Sequence, residues 1–292
     1  MRPRATSSGF ALVLALLVLA LAGTVLAETA RRTGRAVLAA NEAQERLQLR
    51  WGSASVRRAA LSAAERWLEA GRERSEAPRG RVSVSLALGD LEFDLTVADE
   101  QAKANVNLMA ERRDPEGLAD GLRALQRDMA EAMPVELRPS PPPAGLISKF
   151  PLRYRSFDQL FAPQRPERLF GAEPGSPRAG DRVTCWGNGQ VNFRRAERAV
   201  LRETLRGLLN ESQIDAICRA AVEKPECALE EALKPLDVAE EKLKAARSLL
   251  LDGSRCHSLH VAARGRTRSW HWLYVRQLGD AENDSQEYQF TW

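Results

Sequence analysis

From Phe10 to Ala27 the chain carries no charged residue, and the apolar positions follow one another without the gaps of an amphipathic pattern. At about 18 residues the run is near the lower limit for a helix crossing a hydrocarbon core of roughly 30 Å. Beyond it, Glu28 to Ala70 contains no proline and is dominated by alanine, leucine, arginine and glutamate, all good helix formers. Val56, Ala60, Ala63, Trp67 and Ala70 recur at spacings of four and three, which predicts one apolar stripe. Gly71 and Pro78 are the expected stop. The pattern therefore predicts a single helix from about Phe10 to Ala70, on the order of 90 Å long.

The period then changes to two. Val82, Val84, Leu86 and Leu88 alternate with Ser83, Ser85 and Ala87, and Leu91, Phe93, Leu95 and Val97 alternate with Glu92, Asp94 and Thr96. Joined by Gly89-Asp90, these runs predict a hairpin whose glycine suits a type II′ turn. A helix is expected from Leu118 to Ala132, before the proline-rich stretch Pro134 to Pro143. Two more are expected at Ala196–Leu209 and Gln213–Val222, with Asn210 ending the first, Ser212 capping the second and Asp215 three residues on. Arg255 to Ala263, Thr267 to Leu278 and Gln286 to Trp292 read as three strands. Trp270, Trp272 and Tyr274 share one face as core. The expected class is α+β, a long N-terminal helix packed on an antiparallel sheet with a helical and irregular insertion.

The 292 residues suffice for one or two domains. A net charge of +4 is mild, and much of the excess lies at Arg2, Arg4, Arg31, Arg32 and Arg35, flanking the apolar run, where it would face lipid headgroups. Nothing in it points to nucleic acid. The connection Leu209-Asn210-Glu211-Ser212 has an acid and no glycine, so the helix pair lacks the backbone cradle that a DNA-gripping hairpin needs. Cys256-His257-x-x-His260 is not read as a metal site, because His257 and His260 on a strand point to opposite faces. With His271 they make up the histidines of the chain, and no nucleophile has a recognisable setting, so no enzyme is expected.

The N-terminal border carries more. Arg2, Arg4 and Ser7-Ser8-Gly9 precede Phe10, and this Gly9/Phe10 junction resembles a prepilin leader, cut after Gly9 so that the apolar segment stays as the anchor. Counted from Phe10 the fifth residue is Leu14, where pilins and most pseudopilins carry glutamate. Asp99-Glu100-Gln101-Ala102-Lys103-Ala104-Asn105-Val106-Asn107 resembles the D-E-x-x-K-x-N-x-N signature of type II secretion minor pseudopilin K, the general secretion pathway protein K family. Gly189-Gln190-Val191-Asn192-Phe193-Arg194-Arg195-Ala196 matches its V-N-x-N-T-A motif in Val191, Asn192 and Ala196. Physically, Asp99 and Glu100 are expected to pair with Lys103, and Asn105 and Asn107 to bond their own backbone in a turn.

The resemblance implies a pilin-like fold divided into a leader (1–9), a transmembrane anchor (10–27), the soluble part of the long helix (28–73), a first hairpin with its polar loop (81–107), a helical and proline-rich insertion (108–180), a helix-pair region (181–250) and a C-terminal meander (251–292). It implies a single-pass inner-membrane protein with its bulk in the periplasm, capping and nucleating the pseudopilus. Its partners would be other minor pseudopilins, the prepilin peptidase, the inner-membrane secretion platform and the secreted substrate. Calcium is the ion the family carries in its inserted domain; no ligands for it are legible here. Two other readings stay open: a type IV or competence pilus minor pilin, and a soluble periplasmic scaffold released after Ala27, where Val25-Leu26-Ala27 resembles a signal-peptidase site. All of them export the chain, and four cysteines in an exported domain suggest disulfides. Cys218 and Cys227 flank the end of a helix and would close a loop, leaving Cys185 and Cys256 to tie neighbouring strands; buried thiols are the alternative.

The mature chain is expected to begin at Phe10. Mass-spectrometric identification of the first residue decides it, and finding Glu28 instead would establish the released scaffold.

Overall fold

In the computed structural model, the described residues are 8–74, 80–89, 91–127, 138, 154–162, 169–170, 179–265, 269–279 and 285–291. The chain divides into two units, residues 1–52 and 53–292. The first is helical from Ser8 onward, and its large apolar side chains from Phe10 to Leu26 are solvent-exposed. Among the described residues this helix alone has the length and composition to cross a membrane.

Helix α1 (Ser8–Ser62) ends sooner than the pattern predicts. Ala63 forms a turn, its amide bonding the Ala60 carbonyl at 3.2 Å, and α2 (Ala64–Arg74) resumes directly. The break rotates the buried stripe. Ser53, Val56, Ala60, Ala64 and Leu68 are buried, whereas the expected Ala63, Trp67 and Ala70 are only partly covered. Gly71 is also not the stop; it lies inside α2, and a Cβ there would stand 2.0 Å from Val82 Cγ2. The glycine lets the helix approach the sheet.

That sheet is five-stranded and antiparallel, in the order β1 (Arg81–Leu88), β2 (Leu91–Asp99), β7 (Cys256–Arg264), β8 (Ser269–Leu278), β9 (Ser285–Thr291). Gly89, at φ 63°, makes the β1–β2 turn, and Leu88 pairs with Leu91. Alternation sorts the side chains by face. Phe93, Leu95, Val97, Leu259, Val261, Ala263 and Tyr274 line one face by register. Arg57 of α1 lies 5.4 Å from the Tyr274 ring centre and α2 packs on β1 and β2, so this is the helix-covered face. Tyr274 is buried there; Trp270 and Trp272 are partly covered.

The opposite face carries Cys256, Leu273 and Val275 into a second core. This core is built by α3 (Val106–Arg112), α4 (Pro115–Arg127), α5 (Phe157–Leu160), α6 (Arg198–Thr204), α7 (Glu211–Glu223), α8 (Leu229–Leu233) and α9 (Glu240–Leu249). The helix expected at Leu118–Ala132 is present as α4, which begins three residues earlier, and its expected end at Ala132 lies outside the described residues; α3, which the pattern did not predict, precedes it across Arg113 and Asp114. Asn210 does not end α6 but caps α7. Its side chain accepts from the Gln213 amide at 3.0 Å while Gln213 Oε1 accepts from the Asn210 amide at 2.9 Å, a capping box. Ser212 donates to Asn210 Oδ1 and supports that cap rather than making one. Two short parallel pairings complete the fold: β3 (Ala104–Asn105) with β4 (Val183–Thr184), and β5 (Val191–Asn192) with β6 (Leu250–Leu251).

No disulfide links the four cysteines. This corrects the expected pairs: Cys185, Cys227 and Cys256 are packed as small apolar side chains in the second core, with Cys218 partly buried against it. Burial pushes the Cys185 and Cys256 thiols well above their ordinary range, and the nearby Glu100 charge pushes in the same direction. A buried thiol that resists ionising is a poor partner for exchange.

Gly71→Ala should destabilise the chain by about 1–3 kcal/mol, because the methyl meets a β-branched side chain with little freedom to yield. Thermal unfolding of the detergent-solubilised protein measures it, and an unchanged midpoint would contradict the close approach.

Candidate functional site: a buried polar hub

The fold collects all six polar positions of the two sequence motifs into one buried cluster. Asp99, Glu100, Lys103, Asn105, Asn107 and Asn192 are each at most 6% exposed. Burying two carboxylates and an ammonium demands that their bonding capacity be met inside the protein.

Asp99 stands where β2 ends, and the chain turns there because its carboxylate captures the next amides. Oδ1 accepts from the backbone N–H of Gln101 at 2.8 Å and of Ala102 at 3.2 Å, capping a short 3₁₀ turn. The same oxygen accepts from Ser254 Oγ at 2.6 Å. Oδ2 accepts from Asn192 Nδ2 at 2.9 Å and faces Arg195 at 3.5 Å. Asp99 does not pair with Lys103 as expected. Glu100 does, at 2.5 Å, and its oxygens also receive Ser258 Oγ at 2.5 Å and Thr184 Oγ1 at 2.6 Å.

The asparagines divide their work. Asn105 takes the local role the sequence predicts, accepting from the amides of Asn107 and Leu108 as the N-cap of α3, and adds a long-range bond from Nδ2 to the Trp186 carbonyl at 2.8 Å. Asn107 departs from the expected turn. Its amide donates to the carbonyls of Tyr154 and Cys185, and its Oδ1 accepts the Tyr154 N–H at 2.8 Å. It fastens two loops far apart in sequence.

On the helix side, Arg195 is held by Glu65 of α2 in a two-pronged contact at 2.8 and 2.6 Å. His257 Nε2 lies 3.0 Å from Glu65 Oε2. Burial works against the Glu65 charge, but the hydrogen bonds from His257 and Arg195 and their positive charge prevail and lower its pKa to about 2. Glu65, Arg195, Thr184, Ser254, Ser258 and His257 were not singled out as binding partners by the sequence. The one available signal was the motif itself, whose buried acids require donors from elsewhere in the chain.

The arrangement is suited to holding six chain segments in fixed register. Its acids are engaged by donors, the hydroxyls of Ser254, Ser258 and Thr184 among them. His260 and His271 form a separate buried pair on the other sheet face, Nε2 to Nδ1 at 3.3 Å, with Phe170 stacked on His260 at 4.3 Å. The two histidines of the Cys256-His257-x-x-His260 segment thus meet different partners on opposite faces. Among the described residues no group of three or more His, Cys, Asp or Glu side chains is placed to hold a metal. Leu14 is exposed on α1; Gly9 precedes Phe10 within the same helix.

No protein-family model matches the chain, and no curated protein matches it. Among solved structures, one chain of the GspK-GspI-GspJ complex from the type 2 secretion system of enterotoxigenic Escherichia coli is 16% identical. The match covers 86% of this chain and 98% of that one, with a TM-score of 0.46. Likeness of that degree says nothing of what this chain binds.

Asp99→Ala should cost about 3 kcal/mol or more, since it strands Asn192, Ser254 and two backbone donors in a buried site. Glu65→Gln should be milder, about 1 kcal/mol, because half of the Glu65 side chain meets solvent. The lowered pKa sets its pH dependence: the contribution is whole above about pH 4.5 and fades as pH falls toward 2. Urea unfolding of both variants and the parent at pH 7 and at pH 2.5 checks this; a Glu65→Gln deficit that persists undiminished in acid would contradict the pairing.

Proposed function

We propose that this chain is a minor pseudopilin of a type II secretion system, seated at the tip of the pseudopilus, where its soluble unit caps the fibre and nucleates assembly with other minor pseudopilins. The observation carrying this reading is Leu14. It sits at the fifth place after the Gly9/Phe10 junction, in a helix uncharged from Phe10 to Ala27.

The argument is electrostatic. In the pilin family a glutamate at this place lies in the apolar fibre core and neutralises the free N-terminal amine of an adjacent subunit, because an unpaired charge there is costly. A subunit lacking the glutamate has nothing to offer the amine of a subunit stacked above it. It is accommodated where no subunit follows. The buried hub adds support, since its residues are those of the D-E-x-x-K-x-N-x-N pattern, and they act there as a structural junction. The inner membrane, the prepilin peptidase and the secretion platform belong to the same proposal, as does single-pass anchoring with the bulk of the chain in the periplasm.

Leu14→Glu is expected to lower secretion of a reporter substrate and recovery of the other minor pseudopilins by pulldown, because the new carboxylate enters an apolar helix interface at a cost of several kcal/mol or is forced neutral. Leu14→Ile should behave as the parent, an isosteric change usually costing under about 1.5 kcal/mol. Equal secretion and equal pulldown for both variants would remove the basis for tip placement.

A further inference from the structure

A cleft of about 590 Å³ opens at the end of the sheet, between the loop of Gly187 to Gln190, the segment from Leu251 to Ser254, and the ends of β7 and β8. Such a volume is within the range of ordinary ligand sites. Four carboxamides line it: Gln101, Asn188, Gln190 and Gln277. Three form a chain. Gln101 Nε2 donates to Asn188 Oδ1 at 2.7 Å, Asn188 Nδ2 donates to Gln190 Oε1 at 2.7 Å, and Gln190 Nε2 donates to the Ser248 carbonyl at 3.3 Å. Each amide nitrogen has two N–H groups and uses one in this chain.

The chain is anchored from below. Gln101 is buried, and its Oε1 accepts the Arg255 N–H at 2.7 Å and Ser254 Oγ at 3.3 Å, while Ser254 in turn bonds Asp99. The polar hub therefore holds the amides of one wall in place before any ligand arrives, which spares a ligand the cost of ordering them. On the opposite wall the Gln277 side chain makes no hydrogen bond among the described residues. Gly187, Gly253 and Gly279 also line the cleft. Gly187 has φ 88° and Gly253 has open space where a Cβ would stand, so a ligand's main chain can come close.

We propose that this cleft binds an extended, uncharged peptide segment of another protein through its main chain. A carboxamide carries the donor and acceptor of a peptide bond, and four of them facing glycine walls match a polypeptide backbone whatever its side chains. Among the described residues no aromatic ring lines the cleft for a sugar to stack on. Among the described residues the charged side chains on it are Asp252 and Arg255, one of each sign, so these two favour neither an acidic nor a basic ligand. The inference is independent of the secretion reading, which bears only on which protein supplies the peptide.

The test is isothermal titration of the full detergent-solubilised chain with a short capped peptide of alternating valine and threonine, and separately with maltoheptaose. The peptide should bind in the millimolar range or tighter, and Gln277→Ala and Gln190→Ala should each weaken it about fivefold without moving the thermal midpoint. No peptide binding, equal binding by both variants, or binding of the oligosaccharide instead would overturn the proposal. A photo-crosslinking residue placed at Gln277 in cells then separates the sources: a crosslink to a secreted protein or to another envelope subunit supports the proposal and names the donor, and crosslinks confined to the chain itself overturn it.

Discussion

A carboxylate that is fully buried must find all its donors inside the protein, and in this chain that requirement falls on Asp99. Its two oxygens are satisfied by groups from the following turn, from β5, from Arg195 and from the segment before β7. Apolar layers attract without direction and decide which face of a strand is buried; a carboxylate with five partners also decides which groups must meet. The hub thus ties segments distant along the chain to one point, and its members reinforce one another in a low-dielectric interior.

Both layers on the sheet depend on that junction. Glu65 reaches it from α2 through Arg195 and His257, so the helix face carrying Val56, Ala60, Ala64 and Leu68 is set at a fixed height over the strands. Glu100 reaches it from the other side, through Thr184 beside the second core and Ser258 on β7. Cys185 and Cys256 lie close enough to feel the Glu100 charge, and they serve as packing. The groups most often used for chemistry, thiols, imidazoles and buried acids, are here absorbed into holding the fold together. A unit built this way is suited to docking, which agrees with the assembly role proposed for it.

The proposed site of docking chemistry and the hub share a residue. Gln101 lies in the turn that Asp99 caps, and the same side chain begins the row of amides along the cleft. Order imposed by a buried charge thereby extends to a surface that faces solvent. The proposed membrane insertion would make a separate demand: the helix from Phe10 to Ala27 satisfies its backbone internally, and in the proposed fibre position 14 is where a charge would have to be answered by a neighbour.

Much of the architecture is legible because short-range periodicity is strong where one side of an element is buried. The β1–β2 hairpin follows from two alternating runs around Gly89, and the last three strands lie within two residues of where alternation predicts them. The uncharged run and the leader-like border are readable for the same reason, being local in sequence, and so is the polar motif at residues 99–107. What the sequence could not disclose are effects decided by groups distant along the chain. Ala63 breaks a pattern of good helix formers, and the stripe shifts to Ala64 and Leu68 because the sheet determines which side is covered. Gly71 reads as a stop but is a contact with Val82, 11 positions later. Asn210 fits either end of a helix, and the Gln213 side chain that completes the box decides it for α7. Glu65, Arg195 and Ser254 carry no local mark of their meeting with Asp99. Patterning determined which segments would be helix or strand, and tertiary packing determined which buried charges found which donors, because a hydrogen bond depends on position in space and not on separation along the chain.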